Sequence, residues 1–123
     1  MSNAADTKYT PQPGDIVLAP FPFTDPSITK LRPAIILSVL PHEAFLVVYI
    51  TSAATSITSY DLVLEPNQAN QLKVPSLARA NRLTIIAKSH LGRQLGTLCS
   101  EQRRALATKL NGLSAELLRN DTK

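Results

Sequence analysis

Short runs of apolar residues alternate with polar or proline-containing segments over the first hundred residues of the chain. Runs of this length that are rich in β-branched residues and end at Pro, Ser or Asp are typical of β-strands. They predict strands at residues 16–19, 34–39, 45–51, 61–64, 83–87 and 96–98. The run at 34–39 is nearly continuous in apolar residues, which predicts burial on both faces. Short strands with such connections predict a small β-barrel or sandwich.

The pattern changes near residue 100. Leucines then recur every three or four residues, at Leu106, Leu110, Leu113 and Leu117, which is the spacing of one helical stripe. Ser100 is a suitable N-cap residue, and an acidic residue follows it in the first turn, where the helix dipole favours negative charge. We therefore predict a C-terminal helix that packs on the β-domain and has apolar width to spare for a dimer contact.

Length and composition indicate one domain. The chain has 123 residues, of which 44% are hydrophobic, and it shows no internal repeat and no linker. We expect residues 1–12 to be an N-terminal tail, partly vector-derived, and residues 13–120 to form the domain. The single cysteine excludes an internal disulfide and favours a reducing, cytoplasmic setting. No apolar run reaches the roughly 18 residues that a membrane span requires.

Basic residues are concentrated in one part of the chain. The net charge is +4, and residues 66–100 contain no Asp or Glu. Their basic residues are Lys73, Arg79, Arg82, Lys88 and Arg93. A stretch of one sign indicates either a polyanion or an acidic protein as partner, although a solvated basic face gives the same pattern.

An Arg-Pro pair at the start of the second predicted strand is the clearest candidate site. Pro33 fixes its own φ and pushes Arg32 toward an extended backbone, so Arg32 is held at the mouth of the strand. A guanidinium in such a position is suited to hold a phosphate with several donors. The chain contains no CxxC or HExxH motif, no Gly-rich phosphate loop and no Ser-His-Asp signature, and its carboxylates are far apart in sequence.

Five segments, in order, resemble those of the PemK/MazF family, the toxins of type II toxin–antitoxin pairs. Gly14-Asp15 through Asp25 and Lys30-Leu31-Arg32-Pro33-Ala34 resemble its opening GD…PFPFTD and RPA motifs. Ile50-Thr51-Ser52, the segment 75–83 and the segment 91–98 resemble three later motifs. The resemblance implies a mainly β, barrel-like fold of the SH3-like PemK/MazF/CcdB type with a C-terminal α-helix.

The resemblance also implies an activity and its partners. Members of the family are mRNA interferases, which inhibit growth by sequence-selective cleavage of single-stranded RNA without a metal or another cofactor, leaving a 2′,3′-cyclic phosphate. We therefore expect an endoribonuclease that is a cytoplasmic homodimer. Its cognate acidic antitoxin would inhibit it and would provide its only link to operator DNA. We expect no membrane partner.

Three residues match family motifs and are catalytic candidates; the first of them matches the arginine that acts at the scissile phosphate in the family. Arg32 matches the arginine of the RPA motif, Thr51 the threonine of the ITS segment, and Arg79 the arginine of an RxD segment. The resemblance makes them catalytic candidates that stabilise phosphoryl charge. A surface salt bridge for Arg32, a locally satisfied hydroxyl for Thr51 and simple cationic steering for Arg79 remain alternatives.

The neighbouring polar residues are candidates for substrate binding. They are Thr24, Lys30, Ser52, Asn81 and Arg82. Asn81 stands where the family has an aspartate, and an amide cannot act as a general base. His42 and His90 could supply that base; the alternative for each is an ordinary solvated histidine in a loop.

Two other functions remain open. Asn81 is compatible with a catalytically weakened member that only binds RNA or its antitoxin. The CcdB branch of this fold poisons DNA gyrase through the C-terminal end of its helix. The present chain ends in Arg-Asn-Asp-Thr-Lys, which lacks the aromatic or apolar terminus of that branch.

Overall fold

The computed structural model describes residues 10–21, 30–52 and 57–119. Within them the strands are β1 (Asp15–Pro20), β2 (Leu31–Leu40), β3 (Ala44–Ser52), β4 (Asp61–Leu64), β5 (Ser76–Ala87) and β6 (Gln94–Thr97). A 3₁₀ turn at Lys88–His90 precedes β6, and the helix α1 spans Ser100–Arg119. The strands form one antiparallel sheet in the order β4-β5-β3-β2-β1-β6. The predicted fold class, mainly β with a C-terminal helix, is confirmed.

The sheet buries apolar side chains on both of its faces. Along β2 and β3, successive residues alternate between two apolar clusters, as the period of two in a strand requires. One cluster contains Ile35 and Val48 and is covered by Leu106 of α1. The other contains Ile36 and Tyr49. Continuous apolar runs were therefore a good signal for the central strands.

The prediction of two-sided burial holds for only part of β2. Ala34, Ile35 and Ile36 are all at most 1% exposed, whereas Val39 is 51% exposed. The pairing of β2 with β3 shifts in register between Ile36 and Ser38. Because the strand is irregular there, its last residues leave the core, and the prediction is wrong for Val39.

The first half of β5 was not predicted, and it contains an extended bulge. Val48 pairs with Leu83 and Ile50 with Ala78, so the segment 79–82 lies opposite Tyr49 alone. This segment is Arg-Ala-Asn-Arg, which has neither the apolar alternation nor the length of a regular strand. A bulge re-aims the side chains that it carries, and these two arginines are among the candidate site residues.

The predicted C-terminal helix is confirmed, with its cap one residue earlier. The N–H of Arg103 donates to the Cys99 carbonyl at 2.9 Å, so Cys99 takes the N-cap position and Ser100 is the first helical residue. Leu110 and Leu113 are half-buried against the core, but Leu117 is 80% exposed. The helix in the described residues does not combine the length and apolarity that a membrane span requires.

An arginine on α1 ties the start of the described chain to its end. Arg103 donates from Nη1 to the Pro13 carbonyl at 2.8 Å and from Nε to the Leu98 carbonyl at 3.2 Å. Its guanidinium lies directly on Gly14, where a Cβ would be 2.3 Å from Cζ of Arg103. Gly14 also has φ +96°, a conformation that side chains disfavour. The glycine is thus required for both its backbone angle and this contact.

Candidate functional site

Arg32 lies at the start of β2 with a guanidinium that no described carboxylate neutralises. It pairs with Ala19 of β1, and Pro33 follows it in the strand. Its Cζ lies 5.0 Å from the centre of the Phe21 ring. Its Nε is buried and has no hydrogen-bond partner among the described residues. Arg32 is therefore held by the ring contact, and its guanidinium makes no ion pair with a described residue, so its Nη groups can bind an anion.

An aromatic pair supports the ring under Arg32. Phe21 and Tyr49 meet edge to face, with ring centres 5.2 Å apart. The Tyr49 hydroxyl donates a hydrogen bond to the Pro20 carbonyl. Burial raises the pKa of Tyr49 above its usual 10.0, which favours the protonated phenol that donates this hydrogen bond. The pair joins β3 to the end of β1 and fixes the floor on which Arg32 lies.

Arg79 is held by a buried carboxylate. Its Nη1 lies 3.0 and 3.2 Å from the two carboxylate oxygens of Asp61. The Asp61 side chain is 0% exposed, against 27% for Arg79. Thr58 adds two donors to the same carboxylate, from its N–H at 2.9 Å and its hydroxyl at 3.2 Å. No motif in the sequence indicates this pair, because its partners lie on different strands, β4 and β5.

These side chains border a first cavity of about 390 Å³. Its lining residues are Phe21, Arg32, Tyr49, Ile50, Thr51, Thr58, Arg79 and Arg82. The bulge in β5 brings Arg79 and Arg82 to this cavity, opposite Tyr49. Three of its lining residues are arginines, so the first cavity is suited to a polyanion.

A second cavity of about 460 Å³ adjoins the first and shares Arg32, Ile50 and Thr51 with it. Its other lining residues are Pro33, Ser52, Gln71, Leu72, Lys73, Val74, Ser76, Arg93 and Leu95. We call the two cavities together the basic groove. Arg32 and Thr51 lie at the junction of its two parts.

The structure brings most of the predicted site residues together. Arg32, Thr51, Arg79 and Arg82 line the first cavity, and Ser52 lines the second. Lys30 and Asn81 are exposed and line neither cavity. Lys30 still borders the site through its backbone, because its carbonyl accepts the Phe21 N–H at 3.0 Å. Thr24 lies outside the described residues.

The two histidines lie at the opposite end of the strands from Arg32. His42 lies in the turn between β2 and β3. The last residue of β2, Leu40, is eight residues after Arg32, which corresponds to about 26 Å of extended strand at ~3.3 Å per residue. His90 ends the 3₁₀ turn after β5, beside that same turn, where Lys88 N–H donates to the Glu43 carbonyl at 2.8 Å. Within one protomer, the strands therefore place both histidines away from a phosphate that Arg32 holds.

Sequence reasoning missed several residues of the groove. It selected none of Phe21, Tyr49, Thr58, Gln71, Lys73 and Arg93 individually as a site residue. A usable signal existed for Tyr49, since residues two apart in a strand share a face and Thr51 was already a candidate. Among the described residues, no three His, Cys, Asp or Glu side chains are grouped so that they could hold a metal ion.

The fold and groove define a class of small, mainly β domains with a cationic cleft at the ends of their strands. The sequence matches the family of PemK-like, MazF-like toxins of type II toxin–antitoxin systems over residues 12–113, and the chain belongs to this family. A search of curated protein sequences gave no match.

Solved structures of toxins share the fold. The Mycobacterium tuberculosis toxin MazF-mt6 is 27% identical, with a TM-score of 0.63 over 80% of this chain and 93% of that one. A MazE–MazF complex from Deinococcus radiodurans is 21% identical, with a TM-score of 0.70 over 88% and 98%. An endoribonuclease in complex with its cognate antitoxin from a mycobacterial species is 16% identical, with a TM-score of 0.65 over 82% and 91%.

Proposed function

We propose that this protein is the toxin of a toxin–antitoxin pair and acts as a metal-independent, sequence-selective endoribonuclease on single-stranded RNA. The observation that supports the proposal most directly is the position of Arg32. Its guanidinium has no carboxylate partner among the described residues and lies with Thr51 at the junction of the basic groove. A cation held there without compensation favours a phosphate in the groove.

The proposed reaction is an internal transfer within the RNA. The ribose 2′-oxygen loses its proton and attacks the adjacent phosphorus, the bond to the 5′-oxygen of the next nucleotide breaks, and that oxygen takes up a proton. The products are a 2′,3′-cyclic phosphate and a 5′-hydroxyl. Negative charge grows on the phosphoryl oxygens in the transition state, where Arg32 and the Thr51 hydroxyl would donate hydrogen bonds.

Arg79 has a different part in this proposal. Its Nη1 is engaged by Asp61, while the residue remains 27% exposed at the first cavity. The buried carboxylate fixes the guanidinium and reduces its net charge, so Arg79 would orient the RNA by directed hydrogen bonds. Arg82 and Ser52 would bind the flanking nucleotides.

A binding-only function is the second candidate, and one observation favours it. Asn81 replaces the family aspartate and lies on the exposed part of the bulge. The described lining of the first cavity offers no imidazole, and Asp61, directly behind Arg79, is occupied by Thr58 and Arg79. In this alternative the RNA would bind in a salt-dependent manner and would not be cut.

The partners follow from the same proposal. We expect a homodimer in the cytoplasm whose basic groove is blocked by an acidic antitoxin segment, since opposite charges steer such a pair together. Contact with operator DNA would occur through the antitoxin. The complexes among the structural neighbours support an antitoxin as partner of the family.

The decisive experiment compares wild type with Arg32→Ala on a long mixed-sequence RNA in excess EDTA. We expect discrete cuts that carry 2′,3′-cyclic phosphates, and a loss of about 10²–10³-fold in rate for Arg32→Ala, the effect of removing one preorganised donor to the transition state. Thr51→Val, which keeps the shape but removes the hydroxyl, should lose less.

Arg104→Ala is the matched control, because Arg104 is exposed on α1 and lines neither cavity. It removes the same charge and should cleave like wild type. Intact RNA with folded wild-type protein would favour the binding-only function, and Asn81→Asp would then be the variant to test. Wild-type cleavage by Arg32→Ala would refute the assignment of Arg32.

A further inference from the structure

The loop between β4 and β5, residues 65–75, borders the second cavity and is held in place by a buried asparagine, which we call the brace. Asn70 is 0% exposed. Its Oδ1 accepts the N–H groups of Asn67 at 3.0 Å and Leu72 at 2.9 Å. Its amide donates to the Glu65 carbonyl at 2.9 Å and to Oε1 of Gln102 on α1 at 3.4 Å. A satisfied polar network of this kind fixes the loop before any ligand binds.

The brace also brings the loop against β6. A Cβ at Gly96 would lie 2.5 Å from the Asn70 carbonyl oxygen, so only glycine allows this approach. The N–H of Thr97 donates to the Ala69 carbonyl at 2.9 Å. The loop is therefore tied to both α1 and the sheet, and its outer residues have a defined position.

Gln71 is held at the cavity in a conformation that its residue type rarely adopts. It has φ +57°, in the left-handed region. Its N–H donates to the Asn67 carbonyl at 3.1 Å, and its Nε2 donates to the Gln68 carbonyl at 2.6 Å. One amide hydrogen and the amide oxygen remain for a ligand. Strained backbone of this kind is concentrated at functional sites, so the conformation of Gln71 is consistent with a role at the cavity.

The second cavity combines an apolar floor with a cationic rim. Leu72 and Leu95 are half-buried there, and Val74 is 50% exposed. Lys73 and Arg93 lie on its lining as exposed residues, and neither side chain has an ion pair in the described part of the chain. Apolar surface suits the face of a nucleobase, and the two cations suit the phosphates on either side of it.

We propose that the second cavity binds the RNA nucleotide next to the one whose phosphate Arg32 holds, and that Gln71 recognises the edge of its base. Lys73 and Arg93 hold the adjoining phosphates. A glutamine amide carries a donor and an acceptor side by side, which can match a base edge. The same amide has no special match to an acidic peptide, so the chemistry favours RNA. This inference rests on the proposed function for its substrate.

The first test measures binding without cleavage. Arg32→Ala protein is titrated with a fluorescently labelled single-stranded RNA at several salt concentrations, with and without Lys73→Ala/Arg93→Ala. Removing two phosphate contacts should lower the slope of log K against log salt by about 1.4 and weaken binding on the order of 10-fold at 0.1 M salt. Arg104→Ala/Arg119→Ala removes the same charge from α1 and should change the slope little.

The second test asks whether Gln71 determines specificity. Gln71→Gly removes the amide at a backbone angle that glycine adopts freely, so the variant should fold at least as well as wild type. We expect its cut sites, mapped on a long RNA, to lose base preference at one position beside the cut and to keep it elsewhere. Gln71→Asn, which tolerates the same φ but is one methylene shorter, should alter the preference at that position.

The outcomes separate this inference from the proposed function. An unchanged salt slope together with an unchanged cut-site profile would overturn the subsite. Poly-glutamate, an acidic peptide, can be added as a competitor in the RNA-binding assay. If Lys73→Ala/Arg93→Ala binds RNA as before but poly-glutamate no longer competes, the subsite would be overturned and the cavity assigned to an acidic peptide. Wild-type protein that binds RNA but does not cut it, with the expected loss in salt slope, would support the subsite and refute the nuclease.

Discussion

Arg32 and Arg79 border the same cavity, but their surroundings are opposite. Arg79 is paired at 3.0 Å with a carboxylate that is completely buried and further held by Thr58. Arg32 lies on an aromatic ring with a buried Nε that has no partner in the described residues. A neutralised arginine contributes mainly to the fold and to its own position. An uncompensated one contributes mainly to a ligand that brings negative charge.

The difference shows why residue type and motif do not fix a role. Both arginines match family motifs, and both are catalytic candidates on the sequence alone. The salt-bridge alternative was raised for Arg32, yet the structure places the salt bridge on Arg79. The partner of each side chain, set by strand pairing, decides which of them is available to a phosphate.

The contrast between the two arginines predicts its largest effect for Asp61→Ala, which should lower the free energy of unfolding. The variant leaves the donors of Thr58 and Arg79 without their acceptor. Breaking a buried pair costs about 3–5 kcal/mol. We expect about 3 kcal/mol of unfolding free energy to be lost, the low end, because Arg79 is partly exposed and water can replace part of the interaction. Urea unfolding at pH 7 measures the change.

Asp61→Asn is the informative control for that experiment. It keeps one acceptor oxygen, which Thr58 can still use, and removes the charge and the second acceptor, so it should lose less stability than Asp61→Ala. Glu65→Ala, an exposed carboxylate beyond the end of β4, should change unfolding little. Equal losses in Asp61→Ala and Glu65→Ala would show that the pair does not carry the structural role we assign to it.

A smaller effect is expected on the Arg32 side, at Tyr49. Tyr49→Phe removes the hydrogen bond to the Pro20 carbonyl but keeps the ring contact with Phe21, so it should lose about 1 kcal/mol at neutral pH. In wild type the folded pKa is raised, so the unfolded chain releases this proton first as the pH rises above 10.0. Stability due to the neutral phenol is therefore present below pH 10.0 and declines above it.

Unfolding measured between pH 8 and an alkaline limit of about 11 tests the tyrosine prediction. The wild type should lose stability more steeply than Tyr49→Phe in the upper part of that range, so the two curves should converge. Parallel curves would indicate that Tyr49 titrates alike in the folded and unfolded chain. That result would weaken the view that the buried Tyr49 phenol fixes the floor under Arg32.

The smallest effect is the stability change in Arg32→Ala. Loss of the ring contact costs about 0.5–1 kcal/mol, and removal of a buried donor without a partner offsets part of it. We expect the free energy of unfolding to change by at most about 1 kcal/mol, while RNA cleavage by the same variant should fall strongly. A loss as large as that of Asp61→Ala would remove the contrast between the two arginines.

Much of the fold could be predicted because it is local. The apolar runs of β1, β2, β3 and β4 and the leucine spacing of α1 each stand in one short stretch of sequence. The first half of β5 could not be predicted, since its strand character comes from pairing with β3 and β4 around a polar bulge. Val39 was misplaced because a register shift, which no composition reveals, turned the end of β2 outward.

The site was predictable where one motif held it and not where two distant segments built it. Arg32 with Pro33 and the threonine at the end of β3 were visible in the sequence. The Asp61–Arg79 pair joins residues 18 positions apart, and the Asn70 brace reaches 32 positions to Gln102. Such contacts depend on how the strands are ordered in space, which one sequence leaves open.

The Arg103 contact has a consequence for synthesis on the ribosome. This side chain, 90 residues after Pro13, binds its carbonyl, and β6 pairs with β1 across a similar separation, with Asp15 opposite Thr97. Contacts so distant in sequence form late and slow the folding of a domain. The first strand therefore stays paired on one side only until residues 94–97 have left the exit tunnel, and the Arg103 contact forms after that. Translation that stops before residue 94 leaves a chain with neither the outer strand nor the arginine that closes it.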